Sequence, residues 1–451
     1  MSIHTPSRWR VAALAALMAG ALPSLALSAS TATDKDKLIE LQKKLDQSIH
    51  MIDALAGRVR ELEARQAAVA AAPPVAATPA AAPATAEPAA AAADQRISAV
   101  EQKVSQIETA NATRHSDDSG LPLHGFADVG VGNRNPYFPT YKGFYIDNLD
   151  FYLTPHLGEH TRALFELNNE VGADGSVGID LERAQIGYQF SDRATVWIGR
   201  FHTPYGFVNT AVHHGAWIND ALRRPAFLQF EDHGGILPAH TVGLWLTGSE
   251  HAAAGRLQYD GYVGNSQLIE GGVVDMRNAG NAHGKLIVGG RLGYQFEGGS
   301  LDGLTAGVHA FSASRIEDDL PIPNATRVTA YGGYLTYDSD QWEHNAEVYF
   351  FDDEDLSGTT GSHHSNAEYV QFGYRVSWGV PYVRFERTDL DQTDEYFLQQ
   401  ISGGSYQRAA LGTRFDLDSR SSIKLELAET HLTDRSRERF AEEQFQYAIR
   451  F

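Results

Sequence analysis

Beyond Leu121 apolar and polar residues alternate one by one, the period of a β-strand whose two faces meet different surroundings. The end of the chain shows it most plainly: Phe445, Tyr447, Ile449 and Phe451 alternate with Gln444, Gln446, Ala448 and Arg450. The pattern recurs at Ile423, Leu425 and Leu427 against Lys424 and Glu426, and at Ala163, Phe165 and Leu167 against Arg162 and Glu166. Ala184, Ile186, Tyr188 and Phe190 repeat it against Arg183, Gln185 and Gln189. One face suits lipid and the other water. A soluble sandwich has similar strands but turns its apolar face inward and seldom needs so many.

Sixteen such segments are predicted, near 124–134, 148–157, 161–170, 180–190, 195–204, 241–248, 255–266 and 285–296, then 304–314, 326–337, 342–352, 366–376, 380–388, 406–417, 421–431 and 442–451. Connections after even-numbered strands are brief, as at Ser191-Asp192-Arg193-Ala194 and Asp418-Ser419-Arg420, and those after odd-numbered strands are longer. Even strand number with short turns at one end and long loops at the other predicts a transmembrane β-barrel. The longest connection runs from Tyr205 to about His240 and contains His213, His214, Arg223, Arg224, Glu231, Asp232 and His233. It is expected to fold into the barrel and narrow the lumen, because a loop of this length in a compact domain is normally functional.

The period differs upstream. Leu38, Leu41, Leu45, Ser48, Ile52, Leu55, Val59, Leu62, Gln66 and Val69 are spaced by alternating steps of three and four, which predicts an α-helical coiled coil over 34–70 and hence self-association. Ala and Pro dominate 71–93, a composition for an extended linker, and a second short repeat at Ile97, Val100, Val104 and Ile107 opens a segment that ends near 120. Residues 1–29 read as a signal peptide: Arg8 and Arg10, an apolar run from Val11 to Leu22, then small residues around Ala26. The barrel occupies 121–451, giving an all-β, 16-stranded antiparallel transmembrane β-barrel preceded by an α-helical coiled-coil stalk.

Composition narrows the chemistry. The 451 residues include no cysteine, which removes disulfides and thiolate metal sites, and the runs after the N-terminus are too short for the ~20-residue span of a membrane helix. The formal net charge of −20 taken alone points to a cation channel. Much of that acid, however, falls in predicted loops: Glu317-Asp318-Asp319, Asp352-Asp353-Glu354-Asp355, and Asp389, Asp391, Asp394 and Glu395. At positions alternating toward the lumen stand Arg162, Arg183, Arg200, Arg291, Arg375, Arg384, Arg408, Arg414, Lys424 and Arg450, against Glu166, Glu343, Glu347, Glu386, Asp416 and Glu426. Guanidinium groups remain charged and present a planar fork of donors, so this wall is expected to favour small anions. The competing expectation is that the arginines pair with neighbouring acids and merely keep the lumen wet.

The segment Gly199-Arg200-Phe201-His202-Thr203-Pro204-Tyr205-Gly206-Phe207 resembles the Gly-x-Phe-Lys-x-Pro-Phe-Gly strand end of the phosphate-selective porin O/P family, with His202 where that pattern has Lys. The stalk and Ala/Pro spacer are similar to those of dicarboxylate-type (DcaP-like) porins, and 121–451 as a whole resembles a Gram-negative trimeric outer-membrane porin. The resemblance implies a homotrimer in outer-membrane lipid and lipopolysaccharide with its stalk in the periplasm. It also implies a third loop forming the constriction, and a terminal Phe451 read by the barrel-assembly machinery.

The function expected is therefore a passive diffusion channel for small hydrophilic solutes, with small anions such as carboxylates or phosphate preferred. The alternatives are a cation-preferring general porin and a tether holding the outer membrane to peptidoglycan through the stalk. No Gly-x-Ser-x-Gly or His-Glu-x-x-His motif points to an enzyme, no histidine spacing forms a metal motif, no cofactor is implied, and no basic patch points to nucleic acid.

Overall fold

The computed structural model describes residues 123–451, apart from 134–141, 156, 172–176, 192, 213–216, 231–232, 275–283 and 435–436. The expected signal peptide, coiled coil, linker and second repeat all lie outside the described residues. Strands β1 (Leu123–Gly132), β2 (Gly143–Leu153), β3 (Thr161–Val171), β4 (Val177–Ser191), β5 (Ala194–His202), β6 (His240–Ala252) and β7 (Gly255–Asn265) form the first part of the sheet. A small hairpin, β8 (Leu268–Glu270) and β9 (Val273–Val274), follows. Then come β10 (Leu286–Phe296), β11 (Leu304–Asp318), β12 (Ala325–Asp338), β13 (Trp342–Asp355) and β14 (Ser362–Tyr374). The last four are β15 (Val380–Asp389), β16 (Tyr406–Asp418), β17 (Ser421–Leu432) and β18 (Arg439–Arg450).

Each barrel strand pairs antiparallel with the next, β7 pairs directly with β10, and β18 returns to β1, with Phe126 opposite Arg450 and Gly132 opposite Gln444. Leaving out the β8–β9 hairpin, sixteen strands close into a ring without a free edge. Closure satisfies the backbone groups of every strand, the condition for a sheet to stand in hydrocarbon.

The side chains are sorted inside out relative to a soluble protein. Leu181, Ile186, Phe190, Ile198, Leu292, Val308, Phe385, Leu411 and Leu427 are exposed on the outer surface. Asp150, Glu166, Glu182, Asp260, Glu347, Arg384, Glu386, Arg408, Lys424 and Glu426 are buried inside. Alternation along each strand produces this sorting, and burial of so many ionisable groups is tolerable only because they are paired.

Three expectations are corrected. The second strand begins at Gly143, not near 148, because a bulge opposite Ala127 and Val129 places Asp147 and Asn148 both inward and breaks the period of two. Glu317 and Asp318 lie on β11 and the run Asp352 to Asp355 on β13, not in loops. The period persists there with charged residues on both faces, Asp353 and Asp355 buried and Asp352 and Glu354 outside. These longer strands shorten several upper connections, to 319–324 and 356–361, so the rhythm of short and long rests mainly on 133–142, 203–239, 266–285 and 390–405.

Candidate functional site

The connection 203–239 turns into the lumen. Its stem is pinned: Thr203 N donates to Ala239 O at 2.8 Å, and the Asn209 amide donates to the carbonyls of Thr203 and Ala239, each at 2.9 Å. At Gly206 the backbone takes a φ of +54°, and a Cβ there would lie 1.8 Å from a Glu347 carboxylate oxygen. Only glycine therefore lets the chain bend inward against β13. Val208 N then donates to Glu347 Oε1 at 2.8 Å, opening the helical turn Val208–Ala211.

From there the loop follows the wall. Arg414 of β16 donates to the carbonyl of Trp217 at 2.7 Å and pairs with Asp220 at 3.2 Å, while Lys424 of β17 donates to Ala221 O at 3.0 Å. Leu222 N donates to the Tyr382 hydroxyl at 3.1 Å and Arg384 donates to Arg223 O at 2.7 Å, both from β15. Ala226 N donates to Glu386 at 2.6 Å and Phe227 N to the Tyr406 hydroxyl of β16 at 3.1 Å. Arg223 reaches β2 as an ion pair with Asp147 at 3.2 Å. Loop backbone groups thus find donors and acceptors on β13, β15, β16 and β17, which lets an irregular segment lie inside a barrel.

Beneath the loop runs a ladder of opposite charges across β15 to β18. Arg384 pairs with Glu386 at 2.8 Å and lies 3.8 Å from Glu426. Arg408, directly opposite Glu386 in register, pairs with Glu442 and stands 3.5 Å from Glu426 and 3.7 Å from Glu386. The Tyr382 hydroxyl donates to Glu426 at 2.6 Å. Across the barrel, Arg183 pairs with Glu166, its neighbour in register, and Arg291 with Asp260 at 2.7 Å, likewise opposite. Arg291 also donates to Gly206 O at 2.8 Å, tying the loop's entry to β10.

The structure therefore brings Arg384, Arg408, Arg414, Lys424, Glu386, Glu426, Glu347 and Arg223 together as one site around the loop. Arg183 and Glu166 form a separate pair. Arg200 is buried with its Nε on Glu182 O at 3.1 Å. Arg162 bonds the carbonyls of Gly158 and Thr161 in its own turn, and Arg375 pairs with Asp338 and Glu343 at the lower end. Arg450 lies 4.1 Å from the Trp217 ring, and Asp416 pairs with Arg414 at 2.8 Å. Arg224 donates to Asn209 at 2.6 Å with its guanidinium 4.2 Å over Phe230, and His233 approaches Asp147 at 4.0 Å. His213, His214, Glu231 and Asp232 lie outside the described residues. Among the described residues no group of three His, Asp or Glu is placed to hold a metal ion.

Several members of the site were not anticipated. Glu442 follows from the same alternation that turns Gln444 and Gln446 inward. Asp147 was hidden by the bulge in β2. Tyr382 and Tyr406 point inward as donors to carboxylates, whereas the alternation rule assigns aromatics to the lipid face.

No family model and no curated protein matches the chain. Solved structures do: an anion-selective porin from Comamonas acidovorans (14% identity, 73% of this chain and 98% of that one, TM-score 0.49). The outer membrane channel DcaP of Acinetobacter baumannii matches at 12% identity over 73% of this chain and 97% of its own, TM-score 0.44. OmpF of Salmonella typhi, solved with daunomycin, matches at 12% identity over 73% and 97%, TM-score 0.46. The structural neighbours are outer-membrane porins. The likeness is one of fold, and the sixteen-stranded closure stands on the strand pairings themselves.

Proposed function

We propose that this chain is an outer-membrane porin, a channel for passive diffusion of small hydrophilic solutes, with the 203–239 loop as its constriction. The observation that carries the reading is the loop's attachment inside the barrel, through Glu347, Tyr382, Arg384, Glu386, Arg414 and Lys424 of four strands. The apolar exterior fits a bilayer, and the end bearing the long connections faces the outside of the cell.

Charge selectivity in this reading is weaker than the count of inward arginines implies. Arg183, Arg291, Arg375, Arg384, Arg408 and Arg414 each have a carboxylate partner, which supports a wet, charge-compensated wall with a slight preference for anions. Purified protein in planar bilayers tests both statements. Ohmic single-channel steps and a near-zero reversal potential in unequal salt are expected; absence of conductance defeats the channel reading, and a strong cation preference defeats the anion lean.

A homotrimer belongs to the same proposal. The heptad seam over 34–70 supports self-association. The outer side of β4 supports it too, being apolar along its length at Val177, Ile179, Leu181, Ile186 and Phe190, while β13 to β15 present Asp352, His364, Glu368 and Arg387 outward. The stalk lies in the periplasm in this reading, where peptidoglycan is its candidate partner, and deleting 34–115 separates anchoring from transport.

A further inference from the structure

At the upper rim the segment 390–405, between β15 and β16, folds back over the barrel mouth. Asp394 caps its helical turn Glu395–Leu398, accepting from Tyr396 N at 2.9 Å. The turn sends two aromatic side chains inward, Tyr396 and Phe397, both fully buried. Phe397 packs edge-on against Phe351 of β13 with centroids 5.1 Å apart, and the Tyr396 hydroxyl donates to Ile236 O of the constriction loop at 2.6 Å. The rim segment is thereby fastened to the loop inside the pore.

Asp394 also meets Asp353 of β13, side chain to side chain. Asp353 is 2% exposed and Asp394 1%. One oxygen of each is used, Asp353 Oδ1 by Thr329 N at 3.0 Å and Asp394 Oδ1 by Tyr396 N. The two Oδ2 atoms are buried without a donor from the described residues. Two carboxylates in contact at low dielectric cannot both carry charge, so one positive occupant must stand between them.

Of the surrounding groups, His363 of β14 bears on Asp394 but is bonded to Asp391 at 2.8 Å, and Asp352 turns outward to His364 at 2.7 Å. Asn324 holds Asp318 at 2.8 Å and Glu395 at 3.3 Å. The pair is also smaller than the three-ligand groups that hold metal ions, of which the described residues contain none.

We propose that Asp353 and Asp394 share a single proton, and that this proton latches the 390–405 segment over the mouth of the barrel. Burial pushes the Asp394 carboxyl above the ordinary carboxylate range, in keeping with a proton held in the folded state. The sign follows: a carboxyl with a raised folded-state pKa stabilises its contact below the ordinary range, and that contribution is lost as pH rises through the raised value. Above that raised value two repelling carboxylates remain, the helical turn is released and Tyr396 withdraws from Ile236.

The inference goes beyond the channel reading and is tested separately from it. Infrared difference spectra of the purified full chain at stepped pH, wild type minus D394N, are expected to show the carbonyl band of a protonated carboxylic acid persisting above the ordinary carboxylate range. Single-channel records at stepped pH are expected to show a change of gating above the ordinary carboxylate range in the wild type. D394N and D353N, which keep a neutral hydrogen bond, should hold the low-pH behaviour throughout. A missing infrared band overturns the latch whether or not the protein conducts. So does a pH response that survives in both variants, one removed by H363Q, or one abolished by EDTA and restored by calcium.

Discussion

Gly125 and Phe451 exchange both backbone hydrogen bonds, each 3.0 Å long, so Phe451 extends the β1–β18 ladder that closes the barrel. The exchange depends on glycine: a Cβ at Gly125 would lie 2.2 Å from the Phe451 ring and 2.8 Å from the carbonyl oxygen of Asp150. Gly125→Val is expected to impair closure, read as loss of the heat-modifiable band shift that folded barrels show on gels. Phe451→Ala removes the ring but leaves the backbone exchange, so its purified barrel should fold while its assembled yield in cells falls. Equal cellular yield for Phe451→Ala and wild type would reject the role of Phe451 as an assembly signal.

Most of the barrel was legible because lipid and water impose the period of two on almost every strand, as at Phe445 to Phe451. Legibility failed where the period was locally broken or where both faces were charged. The bulge at Asp147-Asn148 delayed β2 and concealed the partner of Arg223. Asp352 to Asp355 read as loop because a strand rising to the rim no longer needs an apolar side. The inward course of the 203–239 loop was expected from its length alone, but its anchors were not, because Glu347, Tyr382 and Tyr406 act at separations that no local pattern records. Alternation groups the arginines with Glu386 on one face, yet sequence could not show that register sets Glu386 opposite Arg408 and Asp260 opposite Arg291.

Glu386 joins three elements: it accepts from Ala226 N of the loop, from Arg384 at 2.8 Å and from the Tyr406 hydroxyl at 3.1 Å. Glu386→Ala leaves buried guanidinium groups short of a counter-charge, a class of change that costs about 3–5 kcal/mol. The midpoint of thermal or denaturant unfolding should fall accordingly, and Glu386→Gln, which keeps an acceptor for Ala226 N, should fall less. Equal stability of Glu386→Ala and wild type would show that the ladder is not a structural support of the loop.

Pairing also makes selectivity adjustable one charge at a time. Glu442→Gln releases Arg408 from its nearest carboxylate, and Arg408→Gln releases Glu442, Glu426 and Glu386. Reversal potentials in unequal salt should move toward anions for the first variant and toward cations for the second, both shifts shrinking as salt screens the site. Shifts of the same sign in both variants would mean that the ladder lies outside the path of the ions.

The entry of the 203–239 loop hinges on one hydrogen. An alanine methyl group at 206 would overlap Glu347 Oε2 at 1.8 Å and the Tyr349 hydroxyl at 2.2 Å, in a backbone region that L-residues rarely adopt. Glu347 would have to leave Val208 N, and the Tyr349 hydroxyl that now donates to Glu347 at 2.6 Å would be displaced with it. Losing buried hydrogen bonds of this kind costs about 1–3 kcal/mol. The barrel does not depend on them, because strand pairing from β1 to β18 continues around the loop. Gly206→Ala should therefore yield a folded, heat-modifiable barrel whose loop stands away from β13, with higher single-channel conductance and faster cleavage of the loop by added protease. A variant with unchanged conductance and unchanged protease sensitivity would mean that the contact with Glu347 does not set the position of the loop.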